Sequence, residues 1–185
     1  MKIIVGISGG SGAIYGVALL QALKQLGVET HLVVSKMGEY VLQHECGMNL
    51  QELESMVAVR YEATDLAASI SSGSFKTDGM VIVPCSMRSL AAVANGISDN
   101  LLTRAADVVL KEQRKLVMVA RETPLSVIHL ENMLKLARMG AVIMPASPGF
   151  YHQPETLEDI VAIMVGRTLD QLGIDHQLVQ RWGEK

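Results

Sequence analysis

The sequence is short of charge and of cysteine, and each shortage excludes a class of protein. Asp, Glu, Lys and Arg make up 19% of the 185 residues, against about 25% in an average soluble domain. The net charge is −3 and no long basic run occurs, which argues against nucleic acid as the main partner. The two cysteines, Cys46 and Cys85, provide neither a disulfide framework nor zinc-binding spacing.

Long apolar runs are also missing. No stretch approaches the roughly 18 consecutive apolar residues of a membrane-spanning helix. The first ten residues, MKIIVGISGG, do not have the layout of a secretory signal peptide. We therefore expect a cytoplasmic protein, and its length favours one domain over residues 1–185.

The low charge is accompanied by a positive mean hydropathy of +0.28. A surface with so little charge predicts that part of it is buried between subunits, so we expect a homo-oligomer. The alternative is that a parallel sheet, buried on both faces, raises the average.

The sequence does contain a series of short, uninterrupted apolar runs. Five of them have the character of strands buried on both faces: Ile3–Ile7, Thr30–Val34, Met80–Val83, Leu116–Val119 and Ala141–Met144. Segments with helical periodicity lie between them, such as Ile14–Leu26, which stops at Gly27. Further helices are expected to begin at Ser35, at Asp99 or Asn100, at Pro124 and at Glu155. The alternation predicts an α/β fold: a three-layer, doubly wound, mostly parallel sheet of the Rossmann or flavodoxin-like type.

Small polar residues gather directly after the predicted strands. In open α/β sheets, ligands bind beyond the carboxyl ends of the strands. The segments expected to meet at this edge are Ser8–Gly12, Ser35, Pro84–Ser89, Arg121–Pro124 and Pro145–His152. We therefore expect the binding site there.

The first of these segments, Ser8–Gly12, is rich in glycine and precedes a helix. Glycines allow a ligand to approach the backbone closely, and a helix N-terminus attracts phosphate. The strict G-x-G-x-x-G spacing is missing, however, and Ser35 rather than an acidic residue ends the second strand. The pattern favours a mononucleotide over NAD. The alternative is that Ser8 or Ser11 only caps the helix.

Cys85, Ser86 and Ser89 follow the strand that contains Met80–Val83. A cysteine at the end of a buried strand with no histidine base beside it in the sequence is expected to be a packing residue rather than a nucleophile. Ser86 and Ser89 either donate hydrogen bonds to a ligand or cap the next helix.

Arg104 and Lys111 lie seven residues apart and share a face of one predicted helix. They either bind an anion or form a solvated ion-pair stripe with Asp107. The five histidines have no ligand spacing, and no Asp-rich diphosphate motif occurs, so no metal site is expected.

Seven segments, in order along nearly the whole chain, give a more specific signal. They are GISGGSGAIYG, SISSGSF, PCSMRSLA, NLLTRAADVVLKE, RETPLSVIHLENM, PGFYHQP and RWGEK. These segments resemble the bacterial flavin prenyltransferase family, formerly described as 3-octaprenyl-4-hydroxybenzoate or aromatic acid decarboxylases. One departure is Gly10, where the family commonly has alanine.

The resemblance implies a metal-independent enzyme that joins the dimethylallyl group of dimethylallyl phosphate to N5 and C6 of reduced FMN. The prenylated FMN then serves a partner decarboxylase of aromatic or α,β-unsaturated acids. The family assembles as dodecamers with active sites at subunit interfaces. The alternatives are an FMN-dependent decarboxylase, as in the related cysteine-decarboxylating flavoproteins, or a non-catalytic FMN-binding subunit of a decarboxylase complex.

The resemblance also implies roles for individual residues. The positions that match FMN-binding positions are Gly9, Gly10, Ser11, Ser35, Ser86, Met87, Arg88, Ser89 and Arg121. Those that match the prenyl phosphate site are Arg104, Lys111, Tyr151 and Arg167. Glu122 matches an acid/base residue, Glu45 and Ser11 match positions implicated in the same steps, and Trp182 matches an aromatic near the prenyl group.

Overall fold

The computed structural model describes residues 1–179, Arg181 and Gly183. Six strands form one parallel sheet in the order β3-β2-β1-β4-β5-β6. Their bounds are Lys2–Ile7 (β1), Glu29–Val34 (β2), Val59–Tyr61 (β3), Gly79–Cys85 (β4), Lys115–Ala120 (β5) and Val142–Pro145 (β6). The apolar runs thus correctly predicted five of the strands, whereas β3 was missed.

Seven α-helices connect the strands in the described part of the chain. Their bounds are Ala13–Gln25 (α1), Lys36–Cys46 (α2), Leu50–Glu54 (α3), Met87–Ala94 (α4), Leu101–Lys111 (α5), Val127–Arg138 (α6) and Leu157–Leu172 (α7). None of these helices has the length and apolar character that crossing a membrane requires.

The predicted starts of two helices were early by two or three residues. α6 begins at Val127 rather than at Pro124, because Ser126 forms a capping box with His129. α7 begins at Leu157, because Thr156 forms a capping box with Asp159. In both helices a side-chain oxygen satisfies a backbone N–H of the first turn, which fixes the start.

Alternate residues of each strand face opposite layers of helices. Ile3, Val5 and Ile7 of β1 pack in one core with α1, α2, α3 and α7. Ile4 of β1 packs in the other core with α4, α5 and α6. The protein therefore has the predicted three layers, with the sheet buried on both faces.

The strand order also places the binding edge. The chain runs outward from β1 through β2 to β3 and then crosses back to β4 on the other side of β1. Ligands in doubly wound folds bind at the carboxyl ends of the two strands where the order reverses, here β1 and β4.

Candidate functional site

Ser8 ties the ends of β1 and β4 together. Its hydroxyl donates to the carbonyl of Pro84 at 2.9 Å and accepts from the N–H of Ser86 at 2.8 Å. Ser8 is fully buried, so these bonds form without competition from water. The residue fixes the relative position of the two loops that the strand order brings together.

Ser35 and Ser86 both cap helices at this edge. The Ser35 hydroxyl accepts from the N–H of Gly38 at 3.1 Å at the start of α2. The Ser86 hydroxyl accepts from the N–H of Ser89 at 3.3 Å at the start of α4. Ser35 thus begins α2 as predicted, and Ser86 caps α4, while the role of both serines toward a ligand stays a prediction. The two caps bring two helix N-termini, with their positive dipole ends, to one place.

A cleft of about 440 Å³ opens between these helix ends. Five of its lining residues were predicted as FMN-binding positions: Gly9, Ser35, Ser86, Arg88 and Ser89. Its volume lies within the roughly 300–1,000 Å³ of small-molecule sites. The cleft residues fit FMN because they offer hydroxyls, a guanidinium and two helix N-termini around one cavity.

Five further lining residues were missed: Lys36, Met37, Ala63, Thr64 and Asn100. Lys36 and Met37 follow Ser35 and could have been included with the other strand-end residues. Ala63 and Thr64 follow β3, so they could not be placed before that strand was recognised. Asn100 caps α5 through the N–H of Thr103, as the sequence predicted, but its place in the cleft follows only from the fold.

The glycine at position 9 lets the first loop approach α2. A Cβ built on Gly9 would lie 2.5 Å from the Cβ of Met37, which is too close for any side chain. Gly10 is less crowded, since a Cβ there would meet the Cβ of Pro84 at 3.4 Å. The alanine that the family commonly has in place of Gly10 therefore fits this backbone.

The carboxylate of Glu45, a residue near the end of α2, lies at the N-terminus of α1. Its Oε2 accepts hydrogen bonds from the N–H groups of Gly12 at 2.8 Å and Ala13 at 2.9 Å. Partial burial raises the pKa of Glu45, but hydrogen bonds from Ser11, Gly12 and Ala13 and the positive charge of Arg121 outweigh it and lower the pKa overall. Two of the N–H groups that we expected to face a phosphate are thus bound to a carboxylate in this structure.

This arrangement brings together three of the predicted residues, Ser11, Glu45 and Arg121. The N–H of Arg121 also donates to the carbonyl of Cys85 at 3.1 Å, which joins the end of β5 to that of β4. Glu122 follows on the same loop, is exposed, and accepts a hydrogen bond of 3.1 Å from the N–H of Thr123. Carboxylates at positions 45 and 122 therefore both lie on segments that reach the carboxyl edge.

Cys85 is a packing residue, as expected. It is completely buried, and burial raises the pKa of its thiol to about 12. A buried thiol with a raised pKa is a poor nucleophile, which agrees with the packing role expected for Cys85.

Arg104 and Lys111 lie on α5 beside the segment Ser69–Thr77. The guanidinium of Arg104 donates to the carbonyl of Ser71 at 3.2 Å and pairs with Asp107 at 2.9 Å. Lys111 pairs with Glu112 rather than with Asp107. Both cations therefore form ion pairs, as the alternative predicted, but only Arg104 uses Asp107. The side chains of Arg104 and Lys111 are each more than one third exposed to solvent.

The four predicted phosphate-site residues fall on two faces of the sheet. Arg104 and Lys111 belong to α5, which packs in the core with α4 and α6. Arg167 belongs to α7, which packs in the opposite core with α1, and Tyr151 precedes α7 in an exposed loop. One chain therefore does not bring the four residues together, and any site that uses all of them needs a second copy.

The remaining predictions concern Trp182 and the expected lack of a metal site. Trp182 lies outside the described residues. Within them, no group of three or more histidine, cysteine or acidic side chains is arranged to hold a metal ion.

Comparison with known proteins gives a consistent result. The Flavoprotein family model matches residues 1–169. A probable UbiX-like flavin prenyltransferase from Bacillus subtilis (strain 168) is 56% identical over 98% of this chain and 89% of its own length.

Two solved structures are also similar to this chain in sequence and in fold. AnUbiX (PadA1), solved in complex with FMN and dimethylallyl pyrophosphate, is 46% identical with a TM-score of 0.97, covering 100% of this chain and 98% of its own. A dodecameric FMN-dependent UbiX-like decarboxylase from Escherichia coli O157:H7 is 52% identical with a TM-score of 0.96, covering 98% of this chain and 99% of its own. The chain belongs to the Flavoprotein family and, within it, to the UbiX-like flavin prenyltransferases.

Proposed function

We propose that this protein transfers the dimethylallyl group of dimethylallyl phosphate to N5 and C6 of reduced FMN. The observation that carries the proposal is the cleft at the β1/β4 reversal, and it is supported by the similarity of the whole chain to AnUbiX, a protein 46% identical that was solved in complex with FMN and dimethylallyl pyrophosphate. When bound, reduced FMN supplies the nucleophilic N5 and C6 atoms. In the overall reaction the allylic C–O bond breaks, inorganic phosphate leaves, and a C–N bond replaces the N5–H bond. The C=C bond of the dimethylallyl group is consumed as one of its carbons bonds to C6 in place of the C6 hydrogen and the other carbon takes up a proton. Of the two protons lost from the flavin, one is thus balanced by the proton gained by the prenyl group and one leaves with phosphate.

The FMN would be held at the carboxyl edge of the sheet. The residues proposed for this are Gly9, Gly10, Ser11, Ser35, Ser86, Met87, Arg88, Ser89 and Arg121. Because Glu45 already accepts hydrogen bonds from Gly12 and Ala13, the N-termini of α2 and α4 are the better phosphate donors in this structure.

The prenyl phosphate would be held by Arg104, Lys111, Tyr151 and Arg167. Three of these are cations, which can stabilise the negative charge that develops on phosphate as it leaves. Since Arg104 and Lys111 lie on the opposite side of the sheet from Arg167, the site would form between copies of the chain.

Acid–base chemistry would fall to the carboxylates of Glu122 and Glu45, with Ser11 beside Glu45. A carboxylate near the flavin can take up the proton that must be lost when the ring is substituted. We assign the indole of Trp182 to the prenyl group, since its π-face can stabilise an allylic cation.

The assembly is proposed to be a homo-oligomer, in its full form a dodecamer as described for the Escherichia coli relative. α6 exposes Val127 and Ile128 at 70% and 67% of their surface, and Leu130 and Leu134 at 51% each. An apolar face of this kind is typical of a subunit interface. The product would pass to a partner decarboxylase that uses prenylated FMN.

The proposal is tested by measuring inorganic phosphate release under anaerobic conditions. Phosphate should appear only when reduced FMN and dimethylallyl phosphate are both present. An FMN-dependent decarboxylase would instead release CO₂ from an acid without dimethylallyl phosphate, and an FMN-binding subunit would do neither. The first helix of that decarboxylase class is expected to carry a catalytic histidine, and α1 contains none.

A further inference from the structure

The carboxylate of Asp170, on α7, accepts hydrogen bonds from three side chains. Its Oδ2 accepts a hydrogen bond from Nη1 of Arg167 at 3.0 Å. Its Oδ1 accepts from Nη2 of Arg181 at 2.9 Å and from Nε2 of His176 at 3.2 Å. The Asp170 side chain is only 15% exposed, so the carboxylate is largely shielded from water and its bonds are stronger than those of a surface ion pair.

The backbone fixes which nitrogen of His176 donates. Nδ1 of His176 accepts a hydrogen bond from the N–H of Leu178 at 3.2 Å. The neutral ring therefore carries its proton on Nε2, the atom that faces Asp170. His176 is 2% exposed, so it forms a rigid support on one side of the carboxylate.

The segment after α7 lies tightly against the helix at this point. A Cβ built on Gly166 would lie 2.9 Å from Cε1 of His176 and 3.0 Å from Cγ2 of Val179. Only glycine allows this approach without displacing the segment. Asp170 therefore sits where α7 and the following segment are in close contact.

The cluster of Arg167, Arg181 and Asp170 carries a net positive charge. Two guanidinium groups share one carboxylate, which leaves at least one excess positive charge. The Arg167 side chain is 55% exposed and lines a groove of about 310 Å³ with Ser147 beside β6. An arginine has five N–H donors, so Arg167 can bond to Asp170 and still present donors to an anion.

We propose that Asp170 is a positioning residue for the prenyl phosphate. It holds the guanidinium of Arg167 in one orientation and ties Arg181, the neighbour of Trp182 in the sequence, to the same carboxylate. The inference rests on the function proposed above, since it requires Arg167 to bind the phosphate of dimethylallyl phosphate. It adds a residue that contacts no ligand and acts through Arg167.

The test uses Asp170→Asn, which keeps the size of the side chain and removes its charge. The control is Asp175→Asn, which removes an exposed carboxylate five residues further along the chain. Calorimetric titration of dimethylallyl phosphate into enzyme loaded with oxidised FMN gives a Kd without turnover. We expect Asp170→Asn to raise this Kd about tenfold, because a displaced guanidinium loses alignment with the phosphate.

We further expect KM for dimethylallyl phosphate to rise with the Kd, while the Kd of FMN stays unchanged and Asp175→Asn has no effect. An Asp170→Asn enzyme with the wild-type Kd for dimethylallyl phosphate would overturn the inference and leave the proposed function intact. A wild-type enzyme that does not bind dimethylallyl phosphate would overturn both.

A double-mutant cycle separates positioning from a general structural effect. In an Arg167→Ala background, Asp170→Asn should change the Kd for dimethylallyl phosphate less than twofold, because the residue through which it acts is gone. A full tenfold effect in that background would overturn the inference. If Asp170→Asn does not fold, Asp170→Glu takes its place in the cycle, because it keeps the charge and moves the carboxylate by one methylene.

Discussion

The carboxylate of Glu45 and the backbone N–H of Gly12 are joined by a hydrogen bond of 2.8 Å that closes the first turn of α1. The two residues are 33 positions apart in the sequence. The same oxygen bonds to Ala13, and Ser11 and Arg121 also interact with the carboxylate. Glu45 thus stabilises the helix that follows the glycine-rich loop and places a carboxylate at the edge where flavin is proposed to bind.

Glu45→Gln should lower the free energy of unfolding at neutral pH. We expect about 0.5–1 kcal/mol, towards the low end of helix-cap effects, because the Glu45 side chain is only partly shielded and solvent screens its charge. The pKa of Glu45 is lowered in the folded protein from its ordinary value of 4.5. Its charge therefore contributes stability above the unfolded pKa, and this contribution is lost as the pH falls through the folded pKa.

Urea unfolding at a series of pH values measures this effect. The difference between wild type and Glu45→Gln should be largest at neutral pH and should disappear in acid, below both pKa values. Glu131→Gln, which removes an exposed carboxylate from α6 outside its first turn, serves as the control. A Glu45 difference that stays constant down to strongly acidic pH would mean that charge at the helix end is not its cause.

Lys111→Ala should leave FMN affinity unchanged and slow prenyl transfer. Losing one well-placed donor to a developing anion typically reduces the rate about 10²–10³-fold. Lys24→Ala, which removes an exposed lysine that donates to the carbonyl of Ser55, is the control. Single-turnover kinetics with reduced FMN measures the effect, and a wild-type rate in Lys111→Ala would remove this residue from the site.

Because Lys111 and Arg167 lie on opposite sides of the sheet, their variants should complement each other. Co-expression of Lys111→Ala and Arg167→Ala chains should leave roughly a quarter of the shared sites intact, as expected for heterologous contacts between identical copies. Activity should therefore exceed that of either variant alone. Mixed oligomers as inactive as their parents would contradict a site built from two chains.

Glu122→Gln should bind FMN and dimethylallyl phosphate normally but turn over slowly, by about 10²-fold or more, since the amide cannot accept a proton. Glu131→Gln on α6 is the control, because it removes an exposed carboxylate from the helix that follows this loop. Rapid-quench single-turnover measurements distinguish binding from chemistry. Wild-type rates in Glu122→Gln would leave stabilisation of the departing phosphate as the main source of catalysis.

Gly10→Ala should stabilise the protein and preserve activity. A Cβ at position 10 makes an ordinary contact of 3.4 Å with Pro84, and the substitution restricts the unfolded chain, so we expect a gain of about 0.4–1 kcal/mol. Gly12→Ala is the matched comparison. Gly12 has a φ of 102°, and its Cβ would lie 3.0 Å from Tyr15, so we expect a loss of about 1 kcal/mol or more. Thermal unfolding measures both, and a destabilised Gly10→Ala would contradict the described loop geometry.

Much of the fold was predictable because the apolar runs reflect a sheet buried on both faces. Five strands overlap the predicted apolar runs, namely β1, β2, β4, β5 and β6. β3 was not predictable in this way: it has three residues, Arg60 stands in its centre, and it lies at the edge of the sheet. An edge strand need not be apolar on both faces, so its sequence lacks the same signal.

The site was predictable only in part. The positions of Ser35, Ser86 and Ser89 at the cleft were predictable because residues after parallel strands meet at one edge. Glu45 lies near the C-terminal end of α2. Only the family resemblance identified it as a candidate, because no local sequence pattern connects it to Gly12. The separation of Lys111 from Arg167 could not be foreseen either, because it depends on which face of the sheet each helix covers.

Prenyl transfer changes the mass of the flavin itself, so the mass of the extracted flavin reports the reaction. The enzyme is incubated anaerobically with reduced FMN and deuterium-labelled dimethylallyl phosphate, and the flavin is extracted and examined by mass spectrometry. We expect an FMN species heavier by one labelled dimethylallyl unit, absent when dimethylallyl phosphate is omitted. Recovery of unmodified FMN alone, from enzyme that has bound both ligands, would contradict it.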